Sequence, residues 1–123
     1  MDKSKNKSTG NLGEDQAAEY LKKLGYRILE RNLKLFCGEI DILAGDRKTI
    51  VIVEVKTVRG SGFGPAQELV RHRKQDKLRL LARAIEQEYP KRSIRIDVIG
   101  VDLSDPENPK IEHLKNAIWG NGN

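Results

Sequence analysis

The stretch of sequence that decides the fold is GEIDILAGDRKTIVIVEVK, residues 38–56. It contains two apolar runs, 38–44 and 49–57, on either side of the polar segment Gly45-Asp46-Arg47-Lys48. Apolar runs around a short Gly/Asp turn are typical of a β-hairpin. We therefore predict two adjacent antiparallel strands in this part of the chain.

Three ionisable side chains interrupt these apolar runs. We predict a register with Ala44 opposite Thr49. Because side chains alternate between the two faces of a strand, Asp41, Glu54 and Lys56 then share one face. In this register the side chains of Asp41 and Glu54 are diagonal neighbours, about 7–8 Å apart. The other face is apolar and carries Ile40, Ile42, Val51, Val53 and Val55.

Charged side chains at the end of an apolar sheet lose hydration, which is costly unless they pair or bind a metal ion. Asp41, Glu54 and the carbonyl oxygen of Val55 offer the oxygen ligands that Mg²⁺ prefers. Lys56 is expected to point to the same side, where it can orient a water molecule or stabilise charge on a phosphate. A metal ion and a lysine beside a phosphodiester are suited to metal-assisted hydrolysis. The alternative is an ion pair of Lys56 with either carboxylate at a sheet edge, because the pattern is short.

Asp41, followed on the next strand by Glu54-Val55-Lys56, resembles the PD-(D/E)XK nuclease signature. Over most of its length the chain resembles the YraN-like family of uncharacterised bacterial proteins more closely. Ile40 stands where many PD-(D/E)XK enzymes carry proline, a residue that the chemistry does not require. The segments that carry the family resemblance lie in order between residues 10 and 101: Gly10-Asn11-Leu12-Gly13-Glu14 with Ala17, Ala18 and Leu21; Gly25-Tyr26-Arg27-Ile28-Leu29 with Asn32; Gly38-Glu39-Ile40-Asp41; Val53-Glu54-Val55-Lys56-Thr57; Arg73-Lys74-Gln75; and Ile96-Asp97-Val98.

The resemblance implies a restriction-endonuclease-like α/β core, similar to that of archaeal Holliday-junction resolvases. In related nucleases a glutamate of the first helix approaches the metal ions, which nominates Glu14 as a third acidic ligand or as a residue that holds water. The alternative for Glu14 is an interaction with the helix dipole. Lys74 matches a family position and is a candidate phosphate contact, and Gln67 is a weaker one. Asp97 is expected to accept buried hydrogen bonds, whereas Glu39 either assists the ion or caps a neighbouring element.

The net charge of +5 is concentrated in one segment. Between Arg71 and Arg92 lie eight basic and three acidic residues, which account for the whole excess. A localised basic stripe is characteristic of nucleic-acid binding, although a solvated helix face has the same composition. The residues that we expect to contact nucleic acid are Arg71, Arg73, Lys74 and Lys77.

Length and composition indicate one domain. The chain has 123 residues, of which 37% are hydrophobic and 33% charged. We expect a disordered basic tail at 1–9, a single domain at 10–119 and a loose tail at 120–123. No apolar run is long enough to span a membrane, no secretory signal is visible, and Cys37 has no cysteine partner for an intrachain disulfide. These features favour a cytoplasmic protein.

The predicted order of elements is α-β-β-β-α-β, with a mixed central sheet flanked by helices. The first helix is expected from Gly13 to Leu24 and the second from Glu68 to Tyr89, with an apolar stripe at helical spacing. Strands are expected at 26–36, in the hairpin, and at 94–101, where β-branched residues are frequent. Lys110 to Leu114 is a candidate edge strand.

These observations favour Mg²⁺-dependent (or Mn²⁺-dependent) endonucleolytic hydrolysis of DNA, with branched or structured DNA as one candidate substrate. Asp41 and Glu54 would hold the metal, Lys56 would position the attacking water, and Glu14 would assist. The alternative is a non-catalytic nucleic-acid-binding module on a nuclease fold. A third hypothesis, a basic factor that binds an acidic protein, explains the charge but not the candidate site. A homodimer is one arrangement that allows both strands to be cut.

Overall fold

The computed structural model of the chain describes residues 9–60 and 75–117. Within these ranges the chain forms two α-helices and five β-strands. In chain order they are α1 (Thr9–Lys23), β1 (Arg27–Leu35), β2 (Gly38–Asp46), β3 (Thr49–Val58), α2 (Gln75–Glu88), β4 (Ser93–Asp102) and β5 (Lys110–Leu114). Of the basic tail predicted at 1–9, residues 1–8 lie outside the described residues, whereas Thr9 belongs to α1. The tail predicted at 120–123, Gln67 and the predicted start of the second helix also lie outside the described residues.

The strands form one mixed sheet in the order β1-β2-β3-β4-β5. The β1–β2, β2–β3 and β4–β5 pairs are antiparallel, whereas β3 and β4 run parallel. The parallel pair requires a crossover connection, and α2 lies in it. This confirms the predicted order of elements and the predicted α/β architecture with a mixed central sheet flanked by helices, and β5 is the edge strand predicted at 110–114. In the described part of the chain, no helix is long and apolar enough to cross a membrane.

Each face of the sheet carries its own hydrophobic core. On one face α1 contributes Ala17, Ala18 and Leu21, which pack on side chains such as Val51 and Val53. On the other face α2 contributes Leu78, Leu81 and Ile85, in agreement with its predicted apolar stripe. We call these the α1-side core and the α2-side core. The sheet is therefore covered on both faces, which explains why β3 is apolar at every position from Ile50 to Val53.

The first helix begins at Thr9, four residues before the predicted start at Gly13. Thr9 and Asn11 are the candidate caps by sequence, but both residues lie within the helix. Glycine disfavours helix in isolated peptides, yet Gly13 is accommodated because it packs directly against Thr57 of β3.

The hairpin forms, but the predicted register and turn are wrong. Asp46 pairs with Thr49 and Gly45 pairs with Ile50, so the loop contains only Arg47 and Lys48. The backbone of Arg47 has a φ of 59°, which allows the chain to reverse within two residues. The register therefore differs by two residues from the predicted one.

The prediction that Ile40 and Ile42 share a face is also wrong. Ile40 packs in the α2-side core with Leu43, whereas Ile42 packs in the α1-side core. Side chains three residues apart cannot share a face in a regular strand, so β2 rotates about its axis near Asp41. The neighbouring β1 is irregular in the same region, because Asn32 has a φ of 54°.

The sheet divides at the same place. Pairing between β2 and β3 extends from Asp46↔Thr49 to Ile42↔Val53. Beyond that point β2 continues beside β1 as far as Gly38, and β3 continues beside β4 as far as Val58. The two strands thus diverge at Asp41 and Glu54, where the sequence places its ionisable residues.

Candidate active site

Asp41 lies where β2 and β3 diverge. The backbone N–H of Val55 donates a hydrogen bond of 2.8 Å to Oδ2 of Asp41. This contact places the Asp41 carboxylate against the peptide group that joins Glu54 to Val55. Asp41 and Glu54 are both half-buried. The structure thus brings the β2 aspartate next to the Glu-x-Lys segment of β3.

Glu54 and Lys56 lie in the part of β3 that pairs only with β4 in the described structure. Their backbone partners in β4 are Val98 and Gly100. Val55 packs against the α1-side core. Because side chains alternate between the faces of a strand, Glu54 and Lys56 project from the opposite face of β3. Lys56 is half-buried. The strand that carries it is held within the sheet by its pairing with β4.

The first helix reaches this region through a close contact with β3. A Cβ atom at Gly13 would collide with the hydroxyl of Thr57, so only glycine permits this approach of helix to strand. The Thr57 hydroxyl is buried and has no hydrogen-bond partner among the described residues. Glu14, the next residue of α1, is thereby carried toward Asp41.

Asn32 is a site residue that sequence reasoning missed. Oriented with its nitrogen toward the carboxylates, the Asn32 amide donates to Glu14 Oε1 at 3.1 Å and to Glu39 Oε2 at 3.3 Å. It therefore connects α1 with β2 from the irregular position in β1. Asparagine is enriched at positive φ, and that preference is the only local signal. The contact also assigns the Glu39 carboxylate to this cluster, a role that the sequence left open.

Burial raises the pKa of the Glu14 carboxyl above its ordinary value of 4.5, and the negative charge of Asp41 raises it further. Arg31, whose Nη2 lies 3.7 Å from Glu14 Oε1, acts in the opposite direction. Arg31 is shared, because it also pairs with Asp15 at 2.8 Å. Glu14 and Asp41 thus repel each other, and a bound cation would relieve this repulsion.

We predict that Glu14→Gln raises the melting temperature of the metal-free protein at pH 7. A carboxyl whose pKa is raised by folding stabilises the native state below the unfolded pKa, and this contribution is lost as the pH rises through the folded pKa. Glutamine imitates the protonated carboxyl of Glu14, so the gain in melting temperature should be present at pH 7 and absent near pH 4. Thermal unfolding followed by circular dichroism at both pH values measures it.

The control for this variant is Glu19→Gln on the same helix. Glu19 is 63% exposed and forms a surface pair with Lys22 at 3.6 Å, so its loss should leave the melting temperature nearly unchanged. A lower melting temperature for Glu14→Gln at pH 7 would show that Glu14 contributes net attraction, through Arg31 and Asn32, rather than repulsion.

Only one predicted nucleic-acid contact can be located. Lys77 is exposed at the beginning of α2 and lies against the start of β2, because a Cβ atom at Gly38 would be 2.8 Å from Lys77 Cε. Arg71, Arg73 and Lys74 lie outside the described residues. Their roles stay predictions.

Asp97 is the centre of a buried hydrogen-bond network, as the sequence led us to expect. It is fully buried and accepts bonds from Arg95 Nε at 2.9 Å and the Asn116 N–H at 3.0 Å. His113 Nε2 lies 2.7 Å from Asp97 Oδ2, and His113 Nδ1 lies 3.0 Å from the Tyr20 hydroxyl. The network joins β4, β5 and α1, and the sequence contained no signal for the role of His113.

In the described part of the chain, no three His, Cys, Asp or Glu side chains form a group that could hold a metal ion by themselves. Mg²⁺ does not require such a group, since proteins usually bind it through one or two carboxylates together with water and substrate phosphates. Asp41 and Glu54 are of the right chemical type for this mode of binding. The donor set therefore fits Mg²⁺ bound jointly by protein and substrate.

Comparison with known proteins identifies the family. Residues 13–101 match the family described as Uncharacterised protein family UPF0102. The chain belongs to the UPF0102 family. A UPF0102 protein of Desulforamulus reducens is 43% identical over 117 residues, which are 91% of this chain and 96% of that protein. The UPF0102 protein GSU0650 of Geobacter sulfurreducens is 44% identical over 115 residues, and the match covers 92% of this chain and 90% of that protein.

Solved structures are more distant from this UPF0102 protein. A complex of EndoMS with double-stranded DNA matches with a TM-score of 0.44 and 18% identity, covering 69% of this chain and 34% of that one. SfsA of Pyrococcus furiosus in complex with Ca²⁺ matches with a TM-score of 0.35 and 19% identity, and the match covers 86% of this chain and 60% of that one. The UPF0102 chain thus spans about a third of the EndoMS chain and about three fifths of the SfsA chain.

Proposed function

We propose that this protein hydrolyses phosphodiester bonds of DNA with Mg²⁺ or Mn²⁺ as cofactor. The observation that carries the proposal is the position of the Asp41 carboxylate, 2.8 Å from the Val55 N–H where β2 and β3 diverge. Strands that diverge can admit a ligand between them, and Asp41, Glu54 and Lys56 are carried by the two strands that diverge here. Fold alone would not carry this conclusion, because one fold hosts many functions.

The proposed metal ligands are the carboxylates of Asp41 and Glu54 and the carbonyl oxygen of Val55. A carboxylate has about four lone-pair positions, so the bond from the Val55 N–H leaves Asp41 able to bind a cation as well. The divalent ion, when bound, would polarise the phosphate and make a bound water molecule more acidic. Glu14 stands beside Asp41, and burial raises the pKa of its carboxyl above the ordinary value, which makes it a stronger base toward a water molecule.

Lys56 would act on the reacting phosphate. It follows Glu54 on the same side of β3, so its ammonium group and that carboxylate serve the same space. A fixed positive charge beside a phosphate stabilises the charge that develops in the transition state. Lys77 lies against Gly38 at the start of β2 and is proposed to hold the nucleic-acid backbone.

The test combines cleavage and metal binding. Wild-type protein is incubated with linear, nicked, flapped and branched DNA and with RNA, each with Mg²⁺ or Mn²⁺. Asp41→Ala should abolish cleavage, and Mg²⁺ should raise the melting temperature of wild type but not of Asp41→Asn, since only binding to the native state stabilises it. Stabilisation of about 2.7 kcal/mol is expected at a metal concentration of one hundred times Kd.

Asp76→Asn is the matched control for Asp41→Asn. Asp76 is fully exposed on α2, so this variant should keep metal binding and cleavage. Calorimetry that detects no binding of Mg²⁺ or Mn²⁺, with and without DNA, would contradict the catalytic proposal. DNA binding without cleavage of any substrate would favour the alternative, a nucleic-acid-binding module on a nuclease fold.

A further inference from the structure

Phe36 is the most exposed large apolar side chain in the described part of the molecule. It lies in the turn between β1 and β2 and is 93% exposed. The other exposed large apolar side chains, Leu12, Leu24 and Leu80, are 42% to 51% exposed. An aromatic ring in water at a turn contributes nothing to either core. A single exposed apolar side chain is common at protein surfaces, so the support and the charges of the turn decide what this ring can bind.

The turn that carries Phe36 is firmly attached to the fold. Leu33, Leu35 and Cys37, which surround Phe36 in the chain, all pack against the α2-side core. Gly38 follows and contacts Lys77 of α2 so closely that a side chain there would displace the lysine. The ring of Phe36 is therefore presented from a rigid support, as expected of a residue that contacts a ligand.

Positive charge lies on the same turn. Lys34, two residues before Phe36, and Lys77 are both exposed, and Lys77 Nζ lies 3.7 Å from the position of a Cβ atom on Gly38, two residues after Phe36. The nearby carboxylate of Glu39 is turned toward Asn32, which contacts it at 3.3 Å. A turn that presents an exposed aromatic ring together with lysines suits a nucleotide, whose base can stack on the ring while its phosphate meets the cations.

The turn is also at a suitable distance from the candidate active site. Phe36 precedes Asp41 by five residues in the chain, so the two residues are at most about 17 Å apart at roughly 3.4 Å per residue. That distance corresponds to about five base steps along the axis of a duplex. A nucleic-acid chain with a phosphate at Asp41 can thus place a base a few nucleotides away at Phe36.

We propose that Phe36 stacks on an unpaired base, and that the substrate is DNA in which unpaired bases adjoin a duplex, such as a fork, flap or junction. This inference rests on the proposed function for its nucleic-acid partner. The faces of paired bases are covered by their stacked neighbours, so a ring at a turn gains a stacking contact only where a base is free. Pairing of two copies of the chain through Phe36 is disfavoured, because a two-fold contact brings each surface against itself and would oppose Lys34 and Lys77 to their own equivalents.

The test measures equilibrium binding in EDTA, so that no cleavage occurs, to a fork with single-stranded arms and to a fully paired duplex of equal length. Phe36→Ala should weaken fork binding by roughly 5- to 150-fold, the range found for loss of one base–aromatic stack. Duplex binding should change by less than about twofold, because it rests on phosphate contacts. Phe36→Trp should keep fork binding, and Phe36→Leu, which is apolar but lacks an aromatic face, should lose it.

Leu80→Ala is the control, since it shortens another exposed apolar side chain and should leave both affinities unchanged. Equal weakening of fork and duplex by Phe36→Ala, or full fork affinity in Phe36→Leu, would overturn the stacking role while leaving the proposed function intact. A change of molecular mass in Phe36→Ala, measured by light scattering, would identify a protein interface instead. Failure of wild type to bind either DNA would overturn the nucleic-acid part of the proposed function and this inference with it.

Discussion

Replacement of Lys56 by alanine is expected to slow DNA cleavage by about 10²-fold or more, with most of the DNA affinity retained. Interactions that are stronger in the transition state than in the ground state affect turnover rather than binding. Loss of one acid–base or electrostatic group typically costs this much. Metal binding should persist, because Asp41 and Glu54 are unchanged. Single-turnover cleavage rates and filter-binding affinities, measured on the same substrate, separate the two effects.

Lys110→Ala is the matched control for Lys56→Ala. Lys110 is exposed at the start of β5, and its removal subtracts the same charge from an edge strand that is separated from β3 by β4. It should alter neither cleavage nor affinity. Equal losses of cleavage and affinity in Lys56→Ala would show that Lys56 anchors a phosphate in the ground state and does not act on the transition state.

Asp97→Asn is expected to destabilise the protein by about 3 kcal/mol, which lowers the melting temperature by roughly 10 °C. Asp97 is fully buried and holds Arg95, His113 and the Asn116 N–H. Breaking a buried pair leaves a poorly compensated charge, here the guanidinium of Arg95, which is only 22% exposed and would keep the longer contact with Asp46 at 3.7 Å. Urea unfolding of wild type and variant at pH 7 measures the difference.

The same network predicts how stability depends on acid. Burial alone would raise the pKa of the Asp97 carboxyl, but hydrogen bonds from His113, Arg95 and Asn116 outweigh it and hold that pKa below its ordinary value of 3.8. A lowered carboxyl pKa stabilises the native state above the unfolded pKa, and the contribution is lost as the pH falls through the folded pKa. The advantage of wild type over Asp97→Asn should therefore be complete at pH 7 and shrink below about pH 4.

Asp76→Asn serves as the control for both measurements on Asp97. Asp76 pairs with Arg79 at 3.4 Å on the surface of α2, so its loss should change the free energy of unfolding by less than about 1 kcal/mol. An equally small change in Asp97→Asn would mean that the network is dispensable for stability.

Local sequence patterns were sufficient for the elements and their faces wherever the strands are regular. The apolar stripe of α2 and the β-branched strand at 94–101 depend on residues that are close in sequence, and both predictions are confirmed. Where a strand rotates, as β2 does near Asp41, simple alternation failed and placed Ile40 on the wrong face. The cause is the irregular conformation of Asn32 in the neighbouring strand, which alternation within β2 cannot reveal.

The candidate site was predicted as a set of residues, but not as an arrangement. Sequence nominated Asp41, Glu54, Lys56 and Glu14, yet its hairpin register was off by two residues because Gly45 and Asp46 pair instead of turning. It contained no indication that Asn32 connects Glu14 to Glu39. That contact joins a helix to two strands, and its formation depends on how those elements pack.

The sequence by itself determined the family, the order of elements and the residue types of the site, because these follow from neighbouring residues and from motif spacing. Tertiary structure alone decided where β2 and β3 part, which partners surround Asp97, and that Phe36 is left in water beside Lys77. The physical reason is that such features arise from contacts between segments far apart in the chain. Their energies depend on packing, desolvation and pairing of the folded whole.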